Sequence, residues 1–299
     1  MTPPRPRTFA ATLGLLALTA VWGSTFVLIK DVVGRMRVVD FLAVRFAVAA
    51  LVMLVLFARP LLALERRQLR RALLLGLVYG AAQLLQTWGL RLIAPSVSGF
   101  VTGMYVVFTP ILGWLLLGQR VSGVVWLAVA LATGGLALLS LHGVSVDAGV
   151  WLTLAAAALY ALHIVGLGRW SRSEDALGMS ALQVVAIAVV CLLATLPQGP
   201  ALPPDRSAWL AVLYMALVAG AGALLVQTWA QSHLPPTRAA IVMTTEPVFA
   251  AAFAVALGVD ALTWRMLVGG VLVLGAMYLV ELLPARSAAL QAESLHHEV

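Results

Sequence analysis

The chain has 299 residues, of which 62% are hydrophobic and only 10% charged, and its mean hydropathy is +1.01. Soluble domains typically carry about a quarter charged residues and less than half apolar ones, so this composition excludes a water-soluble globule. The net charge of +7 comes from basic residues scattered between apolar segments, without the aromatic and basic groove that binds nucleic acid. We therefore interpret the charge as a signal of membrane topology and expect no nucleic-acid partner.

Ten apolar segments follow one another along the chain, each about 20 residues long and so able to cross a bilayer. They lie at about 8–29, 38–57, 72–92, 95–117, 121–140, 148–168, 177–196, 207–230, 236–257 and 261–282. Because they lack the alternation of barrel strands, they predict an all-α membrane protein with ten transmembrane helices. The first segment follows Arg5 and Arg7 as a secretory signal would, but its apolar run is too long, so we expect a retained helix.

An even number of spans places both termini on the same side of the membrane. That side has twelve basic residues: Arg5, Arg7, Arg59, Arg66, Arg67, Arg70, Arg71, Arg120, Arg169, Arg172, Arg238 and Arg286. The opposite side has six: Lys30, Arg35, Arg37, Arg91, Arg206 and Arg265. Since cytoplasmic loops carry the excess of Arg and Lys, we expect both termini to be cytoplasmic, with residues 285–299 as a cytoplasmic tail.

Short motifs recur at a nearly constant distance along the chain. Gln86-Thr87-Trp88 returns as Gln227-Thr228-Trp229, and Leu117-Gly118 returns as Leu257-Gly258. The chain therefore divides into residues 1–143 and 144–284, two halves of five helices each. Because five is odd, the halves are inverted in the membrane, an architecture typical of secondary transporters with a site between the repeats.

Polar side chains inside the spans fall on single helix faces. The sets are Tyr79, Gln83 and Gln86 in the third span, Ser98, Thr102, Tyr105 and Thr109 in the fourth, and Thr153, Tyr160 and His163 in the sixth. Such stripes predict the lining of a water-accessible cavity, because polar groups facing lipid are costly. The alternative for each residue is a hydrogen bond between packed helices.

Pairs of small residues spaced four apart indicate which helices pack closely. Gly76 and Gly80 form such a pair in the third span, and Gly99 and Gly103 form another in the fourth. The eighth span contains an alternating Ala and Gly run at 219–223. We therefore expect the third, fourth, eighth and ninth helices to surround the cavity.

Three ionisable residues lie well inside the spans. Glu246 precedes Pro247, whose missing N–H predicts a helix distortion beside a carboxylate that could meet a substrate amine, a proton or a structural partner. His163 is either a protonation switch or a cavity hydrogen-bond donor, and we favour the second. For Arg45 we favour snorkelling or a bond between helices over binding of a substrate carboxylate.

Several of these motifs together resemble a known family. Trp22-Gly23-Ser24-Thr25-Phe26, Arg45-Phe46, Leu117-Gly118-Gln119-Arg120 and Glu246-Pro247-Val248-Phe249 are similar to the EamA-type repeats of the drug/metabolite transporter superfamily. The resemblance covers nearly the whole chain. It implies an exporter of amino acids or related metabolites in the bacterial inner membrane, with a central cavity between the halves.

The leading hypothesis is a secondary transporter that exports neutral, aromatic amino acids among them, by alternating access and without a cofactor or metal. The candidate substrate-binding residues are Trp22, Tyr79, Gln83, Gln86, Thr102, Tyr105, Tyr160, His163, Gln227, Thr245 and Glu246. Protons as a coupling partner stay open, because one carboxylate permits exchange without requiring it. The alternatives are an exporter of drugs or other metabolites, a passive channel and an intramembrane enzyme. We do not expect the enzyme, because the spans have no nucleophile with its base, no aspartate pair and no metal-ligand set.

Overall fold

The computed structural model describes residues 6–93, 95–118, 121–140, 148–256 and 262–282, and within those ranges it contains helices and turns but no strand. The helices are α1 (Pro6–Arg35), α2 (Val38–Leu62), α3 (Arg66–Leu92), α4 (Pro95–Gly103), α5 (Tyr105–Leu117), α6 (Gly123–Ser140), α7 (Ala148–Trp170), α8 (Ala176–Leu193), α9 (Arg206–Ala216), α10 (Ala223–Gln231), α11 (Pro236–Met243), α12 (Glu246–Ala256) and α13 (Trp264–Leu282). A π-helical segment, Leu217–Gly222, joins α9 to α10. The all-helical prediction is confirmed for these residues.

Some predicted features lie outside the described residues. They are Arg5, the Gln119-Arg120 and Leu257-Gly258 pairs, the boundary between residues 143 and 144, and the tail 285–299. The Leu117-Gly118 ending is described. Gly118 adopts a left-handed conformation with φ of 63° and closes α5 by donating its N–H to Trp114 O, as a C-terminal glycine does.

Six helical segments are long and apolar enough to cross a membrane in the described part of the chain. They are Arg7–Arg35, Val38–Leu62, Arg66–Leu92, Ala148–Trp170, Ala176–Leu193 and Arg206–Gln231. Shorter apolar helices occupy Val101–Leu117, Gly123–Leu138 and Trp264–Leu279. Six of the ten predicted spans are thus confirmed as single long segments, whereas the fourth, fifth, ninth and tenth are shorter or interrupted.

Two of these segments, the ninth and the fourth, are interrupted at corresponding places, and the interruption of the ninth has a local cause. The ninth segment breaks at Thr244 and Thr245, where Pro247 cannot donate a backbone hydrogen bond, which confirms the predicted distortion. The Thr244 and Thr245 hydroxyls donate to Ile241 O and Val242 O, at 2.6 and 2.8 Å, and so satisfy carbonyls at the end of α11. The fourth segment breaks at Met104, the corresponding place in the first half, whose carbonyl accepts from Val107 N at 3.0 Å.

The two halves pack against each other in matching ways. Helix α2 lies against α8, and α6 lies against α13, so equivalent helices of the two halves meet. The packing of α1 on α12 is mirrored by that of α7 on α4 and α5, and the packing of α3 on α8 is mirrored by that of α2 on α9 and the π-helical segment. Contacts made by one half thus have counterparts in the other, as expected for a chain built from two repeats of one helical unit.

Glycine allows the closest approaches. A Cβ atom on Gly76 would lie 2.8 Å from Gln183 O, so α3 and α8 are in backbone contact there. A Cβ atom on Gly23 would lie 2.8 Å from Ala250 N and 2.9 Å from Glu246 O, so α1 meets α12 equally closely. These contacts fix three of the helices that carry cavity residues.

One ion pair and a helix cap, both formed by Asp205, hold the N-terminus of α9 in place. The Asp205 side chain caps α9 by accepting from Ala208 N at 2.9 Å, and it also accepts from Arg35 Nη1 at 2.6 Å. The Ala208 N–H and the Arg35 guanidinium hold the pKa of the Asp205 carboxyl below its usual value, because both interactions favour the ionised form. The N-terminus of α9 is thereby tied to the end of α1.

Candidate functional site

A central cavity lies between the two halves, and its empty space is about 650 Å³ when the part open to solvent is included. Ten of the eleven predicted site residues line it: Trp22, Tyr79, Gln83, Gln86, Thr102, Tyr105, Tyr160, His163, Gln227 and Glu246. The eleventh, Thr245, is buried outside the lining, where its hydroxyl lies 2.9 Å from that of Thr19.

The lining contains residues that the sequence reasoning did not select: Thr25, Phe26, Ile29, Arg45, Thr87, Leu90, Ile164 and Met243. Thr25, Phe26 and Thr87 belong to the recurring or family-like motifs, which could have suggested them. The remaining apolar residues could not have been selected from the sequence, because apolar residues occur throughout the chain; they are Ile29, Leu90, Ile164 and Met243. The cavity thus includes α2 through Arg45, besides α1 and α7, where Trp22, Tyr160 and His163 were predicted, and the four segments expected to surround it.

Not every member of the polar stripes reaches the cavity. Thr109 and Thr153 are buried and donate to the carbonyls four residues earlier, Tyr105 O and Gly149 O, at 2.7 and 2.8 Å. Ser98 is fully buried, and its hydroxyl has no hydrogen-bond partner among the described residues. In the fourth segment Thr102 and Tyr105, on either side of the break at Met104, line the cavity, whereas Ser98 and Thr109, one turn further from the break, do not.

A chain of hydrogen bonds between side chains of the cavity wall links α3, α7 and α4. Gln83 Nε2 donates to the Tyr160 hydroxyl at 2.8 Å, which in turn donates to Gln86 Oε1 at 2.7 Å. Gln86 Nε2 then donates to the Thr102 hydroxyl at 3.0 Å. Because each side chain is hydrogen-bonded to the next, the chain holds the polar groups of the cavity wall in fixed orientations.

Aromatic rings pack beside this chain. The Tyr79 ring meets the Tyr160 ring edge to face at 5.3 Å and the His163 ring at 4.9 Å. His163 Nε2 lies 2.8 Å from Gln183 Oε1 on α8 and is a buried hydrogen-bonding group. The cavity wall here is aromatic and apolar, with its polar atoms at fixed positions.

Arg45 is a buried cation at the cavity wall, 4% exposed. Its Nε donates to Met215 O at 3.1 Å, and its guanidinium carbon lies 5.0 Å from the centre of the Phe46 ring. Trp22 Nε1 donates to Ala219 O at 2.9 Å in the adjoining π-helical segment. The bond from Arg45 to Met215 O joins α2 to α9, so the hydrogen bond between helices predicted for Arg45 is confirmed. Within the described ranges, no carboxylate lies within 4 Å of the Arg45 guanidinium.

Glu246 supplies a carboxylate to the same cavity from the first turn of α12. Its side chain is 8% exposed. None of the ion pairs formed by the described residues includes Glu246, so a structural ion pair is not found there. The cavity lining therefore includes one guanidinium and one carboxyl group that form no ion pair with other described residues.

Two buried polar atoms of the lining have no hydrogen-bond partner in the described part of the chain. They are the Tyr105 hydroxyl and Gln227 Oε1. Both side chains are more than nine-tenths buried. Since an unpaired buried polar atom is costly, both atoms are available to a molecule that enters the cavity.

Comparisons with known proteins agree with this architecture. The model of the EamA-like transporter family matches the chain twice, at residues 9–141 and 147–282. An uncharacterized transporter from Archaeoglobus fulgidus is 29% identical over 277 residues, which cover 91% of this chain and 86% of that protein. A solved crystal structure, 18% identical in sequence, shares the fold with a TM-score of 0.76 over 93% of this chain and 97% of the other. The two matches together span nearly the whole sequence, and the chain belongs to the EamA-like transporter family.

Proposed function

We propose that this membrane transporter carries neutral amino acids, aromatic ones included, and exports them across the bacterial inner membrane by alternating access. The single observation that supports this substrate class is that one cavity is lined by both a guanidinium and a carboxyl side chain. Arg45 offers N–H donors for a carboxylate, and Glu246 offers an acceptor for an ammonium group. A zwitterion carries a carboxylate for the first and an ammonium group for the second, and both residues line the cavity that would hold it.

The remaining lining supports an uncharged substrate side chain. Tyr79, Tyr105, Tyr160 and Trp22 surround the cavity with aromatic surface, which suits apolar and aromatic side chains. A sugar phosphate or nucleotide carries more negative charge than a single guanidinium can balance. The lining therefore favours amino acids over anionic metabolites.

The proposed topology follows from the inverted repeats. Residues 1–143 and 144–284 form the two five-helix units, and both termini and the tail 285–299 lie in the cytoplasm. The matched packing of the halves and the excess of Arg on the terminal side support this arrangement. Reactivity of single cysteines introduced at Arg7 and Gln198, in a Cys191→Ala background, with an impermeant reagent tests it in intact cells. Labelling of the Gln198 position alone is expected, and labelling of the Arg7 position would contradict the topology.

Uptake into liposomes that contain only the purified protein tests the substrate class. Radiolabelled tryptophan, phenylalanine and leucine are expected to enter saturably and to compete with one another, whereas tryptamine, which lacks the carboxylate, should compete at least tenfold less well. No saturable uptake of any neutral amino acid would reject the proposal and direct the search to other metabolites or drugs. Uptake that rises linearly with concentration would instead indicate a channel.

Variants of Arg45 and Glu246 test whether the uptake of amino acids depends on these two side chains. Arg45→Met and Glu246→Gln should each lower uptake of amino acids at least tenfold, because each leaves one end of the zwitterion unpaired in a buried site. Arg206→Gln, at an exposed position outside the cavity, is the matched control and should keep uptake unchanged. An imposed pH gradient, inside acid or inside alkaline, decides between proton exchange and facilitated diffusion. Equal uptake by Arg45→Met and the unmodified protein would remove Arg45 from the site.

A further inference from the structure

The two copies of the Gln-Thr-Trp motif differ in how their glutamines are satisfied. In the first half, Gln86 Oε1 accepts from Tyr160 and Gln86 Nε2 donates to Thr102, so both ends of this amide are paired within the protein. In the second half, Gln227 Nε2 donates to Gln231 Oε1, and Gln227 Oε1 has no partner among the described residues. Both glutamines line the same cavity, and of the two only Gln227 has an amide atom without a hydrogen-bond partner in the described part of the chain.

Two linked amide side chains determine whether the unpaired atom of Gln227 is its oxygen or its nitrogen. The backbone carbonyl of Ile164 can only accept a hydrogen bond, and Gln231 Nε2 donates to it at 2.9 Å. Gln231 must then present its oxygen to Gln227, whose Nε2 donates to it at 3.1 Å. The end of Gln227 that remains is therefore an acceptor, held in one orientation by two hydrogen bonds that begin at the backbone.

A buried acceptor without a partner calls for a neutral donor on the substrate. The ammonium group of an amino acid is better paired with the Glu246 carboxylate, because hydrogen bonds between charged groups are stronger than those to a neutral amide. The carboxylate has no donor at all. The donor left for Gln227 Oε1 is an N–H or O–H group of the substrate side chain.

We propose that Gln227 is a specificity-determining residue that selects aromatic amino acids bearing a ring N–H or O–H, the indole and phenol side chains, over phenyl side chains. This inference rests on the proposed transport of amino acids. Gln231 acts as a positioning residue, because it orients the Gln227 amide without lining the cavity. A substrate without the donor leaves a buried oxygen unpaired, which corresponds to a roughly ten- to hundredfold loss of binding.

Two pairs of substrates in proteoliposomes test the proposal on the unmodified protein. Tryptophan is compared with 1-methyltryptophan, which has lost the indole N–H and gained a methyl group, and tyrosine is compared with phenylalanine, which has lost the hydroxyl and become smaller. Because size changes in opposite directions, a preference for the donor in both pairs cannot come from steric fit. We expect the donor-bearing member to be transported ten- to a hundredfold more efficiently in each pair, and equal use of the members of both pairs would overturn the inference.

Variants assign the preference to the residue. Gln227→Leu should bring both ratios close to one by lowering uptake of the donor-bearing members, and Gln231→Leu should lower both ratios because the Gln227 amide is then free to turn. Gln198→Ala, an exposed amide outside the cavity, should keep both ratios. Ratios that survive unchanged in Gln227→Leu would overturn the inference while leaving amino-acid transport in place. Failure of the unmodified protein to take up any of the four amino acids would instead reject the proposed function, and this inference with it.

Discussion

A methyl group added at Gly23 has no room between α1 and α12. In Gly23→Ala the new Cβ atom would lie 2.8 Å from Ala250 N, 2.8 Å from Phe249 Cβ and 2.9 Å from Glu246 O. All three are backbone atoms or the first atom of a side chain, so no rotamer change relieves the contact. Reaching an ordinary separation of 3.4 Å requires α12 to move by about 0.6 Å, the difference between 3.4 and 2.8 Å.

The expected cost can be estimated from this geometry. Overpacking at a close contact costs roughly 1–3 kcal/mol, against a gain of up to about 1 kcal/mol from replacing Gly by Ala in a helix. Subtracting this gain leaves a net destabilisation of between about 0 and 3 kcal/mol. Transport should fall as well, because Trp22 and Glu246, on the two helices that separate, both line the cavity.

Thermal unfolding of the purified protein, followed by intrinsic fluorescence, and uptake into liposomes measure the two effects. Gly34→Ala is the matched control, because Gly34 lies in the same helix and its Cβ would meet nothing within 4 Å. We expect the control to be as stable as the unmodified protein or more so, and fully active. If Gly23→Ala matched Gly34→Ala in both stability and uptake, the close approach of α1 and α12 would not constrain the molecule and the reasoning would be wrong.

Three further predictions concern hydrogen bonds. Tyr160→Phe leaves Gln83 and Gln86 without their shared partner, so we expect a loss of about 1–3 kcal/mol in unfolding free energy, whereas Tyr278→Phe at a 59% exposed position should change it little. Trp22→Phe removes the indole bond to Ala219 O and should cost about 1 kcal/mol, with unchanged stability counting against that bond. Asp205→Ala should lower the melting temperature at pH 7, because the Asp205 pKa lies below its usual value and the ionised form stabilises the fold. That stability is present above the unfolded pKa and is lost as the pH falls through the folded pKa, so a difference from Asp205→Ala that persists at pH 2 would contradict this account.

Helical spacing in the sequence was sufficient for the cavity wall on α3. This helix is uninterrupted, so Tyr79, Gln83 and Gln86 stay on one face and line the cavity together, as their spacing predicts. In the fourth segment Thr102 and Tyr105 line the cavity, whereas Ser98 and Thr109, one turn away in the same helices, do not, because spacing identifies the face of a helix but not how far along it the cavity extends. The break at Met104 has no proline beside it and so gave no warning in the sequence.

The setting of Arg45 could not be deduced from residue types. Its partners are backbone carbonyls of α9 and the π-helical segment, and every residue has a carbonyl. The π-helical segment itself consists of Leu, Val, Ala and Gly, which are common throughout the spans. Glu246, by contrast, was recognisable because a carboxylate beside a proline inside an apolar segment is rare.

The π-helical segment has a consequence for length changes in the chain. A π turn contains one residue more than an α turn, so Leu217–Gly222 stores an extra residue between α9 and α10. Deleting a single residue there would convert the segment to regular α-helix and turn everything that follows by about 100° around the helix axis. Gln227, which lies in α10 beyond this segment, would then turn away from the cavity. The position of one surplus residue thus sets the phase of the second Gln-Thr-Trp motif relative to the first.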